Sequence, residues 1–188
     1  MGTTLVHLRD DDPPAQGLTF VTAIAVHRSI LAFADRGDDG ATLILKWPND
    51  VMFGAAKVAG ILLERRGNYV AIGVGVNLVS APAIAGRQTA SLSDIGIAIG
   101  RDDFAHMLVE QMENGVKHWR SGAWPDGVLH DWMAIAHPLG TILTLTDGDH
   151  AGLTASFDGL EHDGRLRLRL AGGQTLLVSA GDVQVSQG

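Results

Sequence analysis

The sequence predicts a fold of mixed helix and strand, followed by a smaller unit that contains strands alone. Apolar residues recur at helical spacing in two long segments, 16–35 and 101–119. Two strand-like runs, 57–66 and 69–79, are separated only by a Gly-Asn pair, which is typical of a tight hairpin turn. In the last quarter of the chain the pattern changes to short strands with turn signals between them.

The N-terminal part is expected to form a strand and a long helix. Residues Thr3–Leu8 have the pattern of a short strand, and the acidic run Asp10-Asp11-Asp12 is expected to be a solvated surface loop, not a metal site. Apolar spacing then predicts a helix from Gln16 to Asp35 that is amphipathic to largely buried. His27 and Arg28 would lie on its more exposed side.

A loop and a short buried strand lead into the centre of the chain. Residues Gly37–Gly40 form the predicted exit loop, and Leu43–Leu45 is an apolar run typical of a buried strand. Pro48 ends this strand because proline has no N–H for a sheet ladder. Asn49 and Asp50 then supply turn-forming side chains at the strand's end. Such a tetrapeptide is either an ordinary turn or a place for a ligand.

The Gly-Asn turn sets a register that brings glycines together. If Arg66 faces Tyr69, Gly60 lies directly opposite Gly75. Paired glycines in mid-strand leave a bare backbone patch that another group can approach closely. Each glycine costs about 0.5–1 kcal/mol relative to alanine, so the pair calls for an explanation. A β-bulge or tight helix packing is the alternative to a binding surface.

Lys57 opens the first strand of this hairpin, beside the bare patch. A lysine among Val58, Ala59 and Ile61 is costly to bury without a partner. It either extends to water from the end of the strand or binds an anion. Together with the bare backbone and the nearby Asn-Asp pair, the ammonium group indicates a carboxylate or phosphate ligand.

The second half of the chain is predicted to contain two helices and five strands. The helices span Arg101–Trp119 and Val128–Ala136, and the tryptophans of this region are expected to pack in the core. His137-Pro138 marks a boundary. The predicted strands that follow are 141–146, 152–157, 166–170, 175–178 and 183–185. About 50 residues of this kind fit a small barrel.

Composition limits the classes of function. The chain has 188 residues, 46% hydrophobic and 19% charged, so one main domain with a small appendage is expected. Without cysteine it has no disulfide or thiolate metal site, and no other metal ligands are predicted. A formal charge of −7 argues against nucleic-acid binding. With neither a basic leader nor an apolar run of about 20 residues, we expect a cytoplasmic protein and no membrane partner.

Three motifs, KWPND, KVAGILLE and IGVGVN, stand in this order between Lys46 and Asn77. In sequence and spacing they resemble the central motifs of biotin protein ligases. Thr89–Leu92 and Ala180–Val183 resemble later segments of the same family. The resemblance implies an α+β fold: residues 1–136 would form a catalytic domain with a mixed or antiparallel sheet and helices, and residues 137–188 an SH3-like β-barrel.

The resemblance also implies a reaction and its main residues. These enzymes activate biotin with ATP and Mg²⁺ as biotinyl-5′-AMP, then transfer it to a lysine of a carboxylase's carrier domain. Lys57 would contact the biotin carboxylate and the α-phosphate, and Asp50 would orient the incoming lysine amine or help to hold magnesium. Lys46 and Trp47 would line or support the site, and Asn49 would meet the adenylate.

Four residues of the glycine-containing hairpin complete the implied site. Gly60 and Ile61 would contact biotin through their backbone, while Gly75 and Asn77 would border the nucleotide. The family also carries a GRGRxGR loop upstream of its first matching strand, and the sequence contains no such motif. The chain is therefore expected to lack the N-terminal part of the catalytic domain.

Two other functions and the oligomeric state stay open at this point. The chain would be either an active ligase or a degenerate homologue that binds adenylate or biotin without catalysis. Transfer of lipoate or another acyl group is the third reading, because lipoate ligases share the fold. A homodimer is left open.

Overall fold

The computed structural model describes residues 1–34 and 43–186. In this part of the chain, ten strands form two five-stranded antiparallel sheets, and three α-helices pack together, the first of them against the first sheet. Parallel pairing between described residues is confined to isolated bridges. None of the described helices is long and apolar enough to cross a membrane. The predicted combination of helices with antiparallel sheet is confirmed.

The first sheet contains the central stretch of the sequence. Its strands are β1 (Gly2–His7), β2 (Leu43–Lys46), β3 (Asp50–Phe53), β4 (Ala56–Arg66) and β5 (Tyr69–Val76), in the order β1-β5-β4-β3-β2. The β4–β5 register pairs Gly60 with Gly75, as the Gly-Asn turn predicts. Strand β3 was not predicted: Asp50, expected in a turn, is its first residue.

Helix α1 (Gly17–Leu31) is buried along almost its whole length. Arg28 is exposed as expected, but the expectation for His27 is wrong: only 6% of it is exposed. Its Nε2 lies 3.0 Å from the carbonyl oxygen of Leu43, and burial lowers the pKa of the imidazole. This helix has neighbours on several sides, so a polar residue within it does not mark a solvent face. The predicted end at Asp35 and the exit loop 37–40 lie outside the described residues.

The remaining helices are α2 (Arg101–His118) and α3 (Asp126–Met133), joined through a π-helical turn at Trp119–Ala123. Both begin or end within a few residues of the predicted bounds. Trp119 and Trp132 are almost completely buried, and Trp124 lies against Phe20 with ring centroids 5.9 Å apart. The expectation that these tryptophans pack in the core is confirmed.

The second sheet holds all five strands predicted after residue 137, with bounds shifted by no more than three residues. Its order is β10-β6-β7-β8-β9. The strands are β6 (Ile142–Leu145), β7 (Thr154–Leu160), β8 (Leu166–Arg169), β9 (Thr175–Val178) and β10 (Val183–Val185). Whether they close as an SH3-like barrel, and the boundary at residue 137, stay predictions.

The acidic run near the N-terminus is only partly a solvated surface. Asp10 and Asp11 are exposed, but the carboxylate of Asp12 is buried against Arg120. Arg120 donates from Nε and Nη2 to the two carboxylate oxygens over 2.8 and 2.9 Å. These hydrogen bonds hold the pKa of the Asp12 carboxyl below its usual value. The pair fastens the loop after β1 to the end of α2, which the sequence pattern alone could not indicate.

Candidate active site

The β2–β3 hairpin brings the first charged residues of the site together. Trp47, Pro48 and Asn49 form its turn, and the register then pairs Lys46 with Asp50. Both side chains are buried, with 8% and 4% exposed. Burying two charges is costly unless they are paired and hydrogen-bonded. The hairpin therefore fixes a buried acid and a buried base side by side at the edge of the sheet.

A β-bulge in β4 brings Lys57 towards the same place. Between Val51 and Met52 the β3–β4 register shifts, so Ala59 pairs with Val51 but Lys57 pairs with Met52. In a regular strand, residues three apart point to opposite faces, and a bulge changes that alternation. Here Lys57 folds back over Gly60, whose added Cβ would lie 2.8 Å from both Cε and Nζ of the lysine.

The carboxylate of Asp50 forms ion pairs with both lysines. The Nζ of Lys57 donates to Asp50 Oδ1 in a short contact, and the Nζ of Lys46 lies 3.4 Å from Asp50 Oδ2. The Lys57 side chain keeps 28% of its surface exposed, whereas Asp50 is almost fully enclosed. The positive charge of Lys57 is therefore partly exposed, and the buried carboxylate of Asp50 fixes its position.

Lys46 has a second carboxylate partner from the other sheet. Its Nζ donates to Asp182 Oδ1 over 2.7 Å and to the carbonyl oxygen of Val183 over 3.0 Å. The other oxygen of Asp182 lies 2.9 Å from Nη2 of Arg87. Positive and negative groups thus alternate from Lys57 through Asp50, Lys46 and Asp182 to Arg87.

A cavity of about 450 Å³ lies over the paired glycines. Five of the predicted site residues line it: Lys57, Gly60, Ile61, Gly75 and Asn77. At Gly75 the nearest described atom to an added Cβ is a backbone oxygen 3.9 Å away, so no helix packs on this patch. The alternative of tight helix packing is therefore wrong for this glycine. Backbone groups here can be approached by a ligand of a few hundred Å³.

A second cavity of about 480 Å³ lies on the other side of Lys57, between the two sheets. Lys46, Asp50, Arg87 and Asp182 line it together with Lys57. His137 also faces it, and its Nε2 has no hydrogen-bond partner among the described residues. Burial lowers the pKa of the His137 imidazole, and the positive charge of Lys46 lowers that pKa further. Lys57 is therefore where the two cavities meet.

Two predicted site residues do not line either cavity, and the side-chain amide of a third is hydrogen-bonded to the protein backbone. Trp47 is buried and donates from Nε1 to the carbonyl oxygen of Gly164, 3.1 Å away in the second sheet. Asn49 donates from Nδ2 to the carbonyl oxygen of Ile61 over 2.6 Å. Asn77 Nδ2 lies 3.1 Å from the carbonyl oxygen of Ala90. These side chains hold the floor of the site together.

Three residues of the site were not predicted: Arg87, His137 and Asp182. Asp182 lies in the segment Ala180–Val183, which resembles the family. Nothing in the sequence spacing indicates that Asp182 contacts Lys46, 136 positions away. Arg87 is carried by the irregular segment after β5, which aligns with β4 through hydrogen bonds at Lys57. Such long-range pairing leaves no local pattern in the sequence.

Comparison with known proteins gives the class to which this fold and site belong. The model of the Biotin/lipoate A/B protein ligase family matches residues 4–77, the segment that contains the three central motifs. A biotin–[acetyl-CoA-carboxylase] ligase of Mycobacterium tuberculosis is 35% identical over 140 residues, which is 74% of this chain and 52% of that protein. The chain thus spans about half the length of this relative.

A second relative and a solved structure cover more of the chain. The biotin–[acetyl-CoA-carboxylase] ligase of Paracoccus denitrificans is 31% identical over 95% of this chain and 77% of its own length. The biotin protein ligase of Aquifex aeolicus, in complex with biotin and ATP, superposes with a TM-score of 0.75. That superposition covers 99% of this chain and 77% of the other, at 19% identity. The chain belongs to the biotin protein ligase family, as the motifs predicted.

Proposed function

We propose that this chain is a biotin–[acetyl-CoA-carboxylase] ligase, which activates biotin with ATP and transfers it to a lysine of a carboxylase's carrier domain. The observation that carries the proposal is Lys57. Its ammonium group is held by a buried carboxylate and opens onto the cavity above Gly60 and Gly75. The names of the two relatives and the biotin and ATP bound to the Aquifex aeolicus protein support the same reaction.

In the first step, an oxygen of the biotin carboxylate attacks the α-phosphorus of ATP. Biotinyl-5′-AMP forms, and the bond to the bridging oxygen breaks to release pyrophosphate. Negative charge gathers on the α-phosphate oxygens as the new bond forms. A fixed cation aimed at that charge is worth more in the transition state than in the ground state. Lys57 supplies it, because Asp50 keeps its Nζ at the junction of the two cavities.

In the second step, the amine of the carrier lysine attacks the carbonyl carbon of biotinyl-5′-AMP. An amide bond forms, AMP leaves with the electron pair of the broken anhydride bond, and the amine loses a proton. Asp50 lines the second cavity as well as holding Lys57. It is the carboxylate that would orient the arriving amine. We assign the binding roles by the same argument: Gly60 and Ile61 for biotin, and Gly75 with Asn77 for the nucleotide.

The described residues of this site do not form a metal site of the protein's own. Across residues 1–34 and 43–186, no group of three or more His, Asp or Glu side chains could hold a metal ion. We therefore assign Mg²⁺ to the phosphates of ATP, as a component of the substrate.

The proposal also covers the organisation of the chain. Residues 1–136 would form the ligase domain, and residues 137–188 a barrel of the SH3-like type that contributes Asp182 to the second cavity. The carrier domain would reach the site through that cavity, since it lies between the two sheets and is lined by both Asp50 and Lys57. Lys46, Trp47 and Asn49 would support the floor of the site.

The proposal is tested with Lys57→Ala. We expect pyrophosphate release in the presence of biotin and MgATP to fall about 100- to 1,000-fold, the loss typical of removing one transition-state donor. Lys117→Ala is the matched control, because this lysine is 74% exposed and its one ion pair with a described residue is to Glu113 on its own helix. Thermal unfolding of both variants checks that they are folded. Near-normal pyrophosphate release in the Lys57 variant would remove its assigned role.

Transfer is measured as the mass gain of a biotin carrier domain. A gain of one biotinyl group with the purified chain supports the ligase reaction. Absence of that gain, with biotinyl-5′-AMP still binding in calorimetry, would favour a noncatalytic homologue instead. Lipoate in competition with biotin separates the third reading: preferential transfer of lipoate would overturn the assignment of biotin as substrate.

A further inference from the structure

The turn before β10 holds a carboxylate in a fixed place beside the site. Gly181 has a φ of +141°, which an L side chain rarely adopts, and this lets the chain turn sharply at Asp182. The N–H of Asp182 donates to Asp147 Oδ1 over 2.5 Å, and the N–H of Val183 donates to Asp182 Oδ1 over 2.9 Å. Backbone and side chain are thus both constrained, so the position of this carboxylate is set by the second sheet.

The second sheet supplies most of the acceptors for Lys46. An ammonium group has three protons to donate. Asp182 Oδ1 at 2.7 Å and the carbonyl oxygen of Val183 at 3.0 Å take two of them. Asp50 Oδ2, at 3.4 Å, is the weakest of the three contacts. Lys46 is therefore held mainly by residues from the other sheet, although it lies next to Asp50 in its own hairpin.

These contacts determine which of the two lysines Asp50 binds more closely. With Lys46 drawn towards Asp182, the carboxylate of Asp50 makes its shorter contact with Lys57. Without the charge of Asp182, the buried ammonium of Lys46 would have Asp50 as its nearest carboxylate. It would move closer, because a buried charge without a partner is strongly disfavoured. Lys46 and Lys57 would then compete for the same group.

We propose that Asp182 is a positioning residue for the reaction: it holds Lys46 away from Asp50 and so keeps Lys57 in place. Asp182 acts through Lys46 and makes no contact of its own with the reacting atoms. This inference rests on the function proposed above, because the group that it positions is the cation assigned to the developing phosphate charge. It gives the second sheet a defined part in catalysis.

The test uses Asp182→Asn, which keeps the shape of the side chain and an oxygen for the N–H of Val183. Asp158→Asn is the matched control. Asp158 lies in the same sheet, is similarly enclosed and pairs with two arginines, Arg167 and Arg169, but does not line either cavity at the site. A general effect of removing a paired aspartate from this sheet would appear in both variants.

The first readout separates turnover from binding. We expect Asp182→Asn to lower kcat for pyrophosphate release about 10- to 100-fold, the range for a catalytic group displaced by about 1 Å. The KM values for biotin and ATP should change little, because the cavity over Gly75 is untouched. Asp158→Asn should leave kcat near that of the parent chain. Equal losses in the two variants, or a parent-like kcat in Asp182→Asn, would overturn the inference.

The second readout needs no catalysis. The chain has three lysines, Lys46, Lys57 and Lys117, so an amine-reactive acetylating reagent followed by mass spectrometry reports each one separately. Lys117 is exposed and serves as the internal reference. We expect Lys57, which must share Asp50 with Lys46 in Asp182→Asn, to react several-fold faster in that variant than in the parent chain. The same change should not follow Asp158→Asn.

The two readouts also separate failure of the inference from failure of the proposed function. If the parent chain releases no pyrophosphate, the ligase proposal fails, and labelling alone decides whether Asp182 keeps Lys57 in place. Unchanged labelling of Lys57 in Asp182→Asn overturns the inference in either case. Should that variant not fold, Asp182→Glu keeps the charge but displaces it by one methylene. Parent-like kcat and labelling in Asp182→Glu would then count against a positional role.

Discussion

Lys57 reaches Asp50 because residue 60 has no side chain. A Cβ at Gly60 would lie 2.8 Å from Cε and Nζ of Lys57, closer than such atoms approach each other. The far end of a lysine can move aside at little cost in stability. It could not move aside and also keep its contact with Asp50. The glycine is therefore needed for the geometry of the charge, more than for the fold of the hairpin.

Gly60→Ala should consequently lower activity without unfolding the chain. We expect kcat for pyrophosphate release to fall about 10- to 100-fold, since the end of the lysine must move by about 1 Å to clear the added methyl group. Gly75→Ala is the matched comparison in the opposing strand. Its Cβ would meet nothing closer than a backbone oxygen at 3.9 Å, so Lys57 should stay in place.

Steady-state kinetics and thermal unfolding of the two variants check this prediction. In Gly75→Ala the added methyl group faces the cavity, and any loss should appear as a higher KM for the nucleotide. A fall in kcat confined to Gly60→Ala supports the displacement of Lys57. Equal kcat in Gly60→Ala and the parent chain would contradict it.

At this scale the sequence predicted the glycine pair and a lysine beside it, but not that the side chain of Lys57 folds back over Gly60. Turn chemistry is local, so the Gly-Asn pair was enough to place Gly60 opposite Gly75. The bulge that turns Lys57 towards Gly60 arises where β4 pairs with β3, a strand that was not predicted. Without that pairing, simple alternation puts Lys57 on the face away from Gly60.

Helix α1 is the element that supports the sheet from behind. It is buried on most sides and crosses α2 closely at Gly115, where an added Cβ would lie 2.8 Å from Cγ1 of Val21. Valine in a helix has essentially one side-chain rotamer, so Val21 cannot readily turn away. The small residue in α2 is therefore what lets the two helices approach at this distance.

Gly115→Ala should accordingly destabilise the chain, although alanine is the better helix former. We expect a loss of about 1–2 kcal/mol in the free energy of unfolding, because overpacking outweighs the helix propensity. In a Val21→Ala background the clash is absent, and the same change should stabilise by up to about 1 kcal/mol. Denaturant unfolding measures both values. The same sign in the two backgrounds would show that the crossing at Val21 is not the cause.

Most helices and strands were predictable from the sequence, and the reasons for the misses are physical. The apolar spacing of α1 gave its position, but a helix buried on several sides has no single polar face by which to place His27. Strand β3 was missed because it begins at Asp50, whose side chain, next to Pro48 and Asn49, is typical of a turn. Its residues are fixed by pairing with β2 and β4.

At the scale of the whole molecule, the two sheets meet through a few contacts that no local pattern reveals. The sequence predicted all five strands of the second sheet, because turn residues separate them. It did not predict how that sheet meets the first. Asp182 reaches Lys46, and the carbonyl oxygen of Gly164 accepts from Nε1 of Trp47. Both contacts are made by neighbouring residues of the KWPND motif. The interface between the two sheets, called the seam below, therefore lies beside the site.

Gly164, whose carbonyl oxygen accepts from Trp47, also lies close against helix α1. Its φ is +83°, and an added Cβ would lie 2.5 Å from Cε2 of Phe20. Phe20 cannot move away easily, because it is 4% exposed and its ring is packed against Trp124 and Trp132. Gly173 has almost the same φ, +81°, but nothing lies within 4 Å of its added Cβ among the described residues.

These two glycines separate backbone strain from the closeness of the seam. Gly173→Ala should cost about 1–2 kcal/mol in the free energy of unfolding, the cost of placing an L side chain in the left-handed region. Gly164→Ala carries the same strain and should lose about 1–3 kcal/mol more, because the second sheet must shift from Phe20. It should also slow pyrophosphate release, since the shift loosens Trp47 and, next to it, Lys46. Equal losses of stability in the two variants, measured by denaturant unfolding, would mean that the seam tolerates displacement and that only backbone strain makes glycine necessary at position 164.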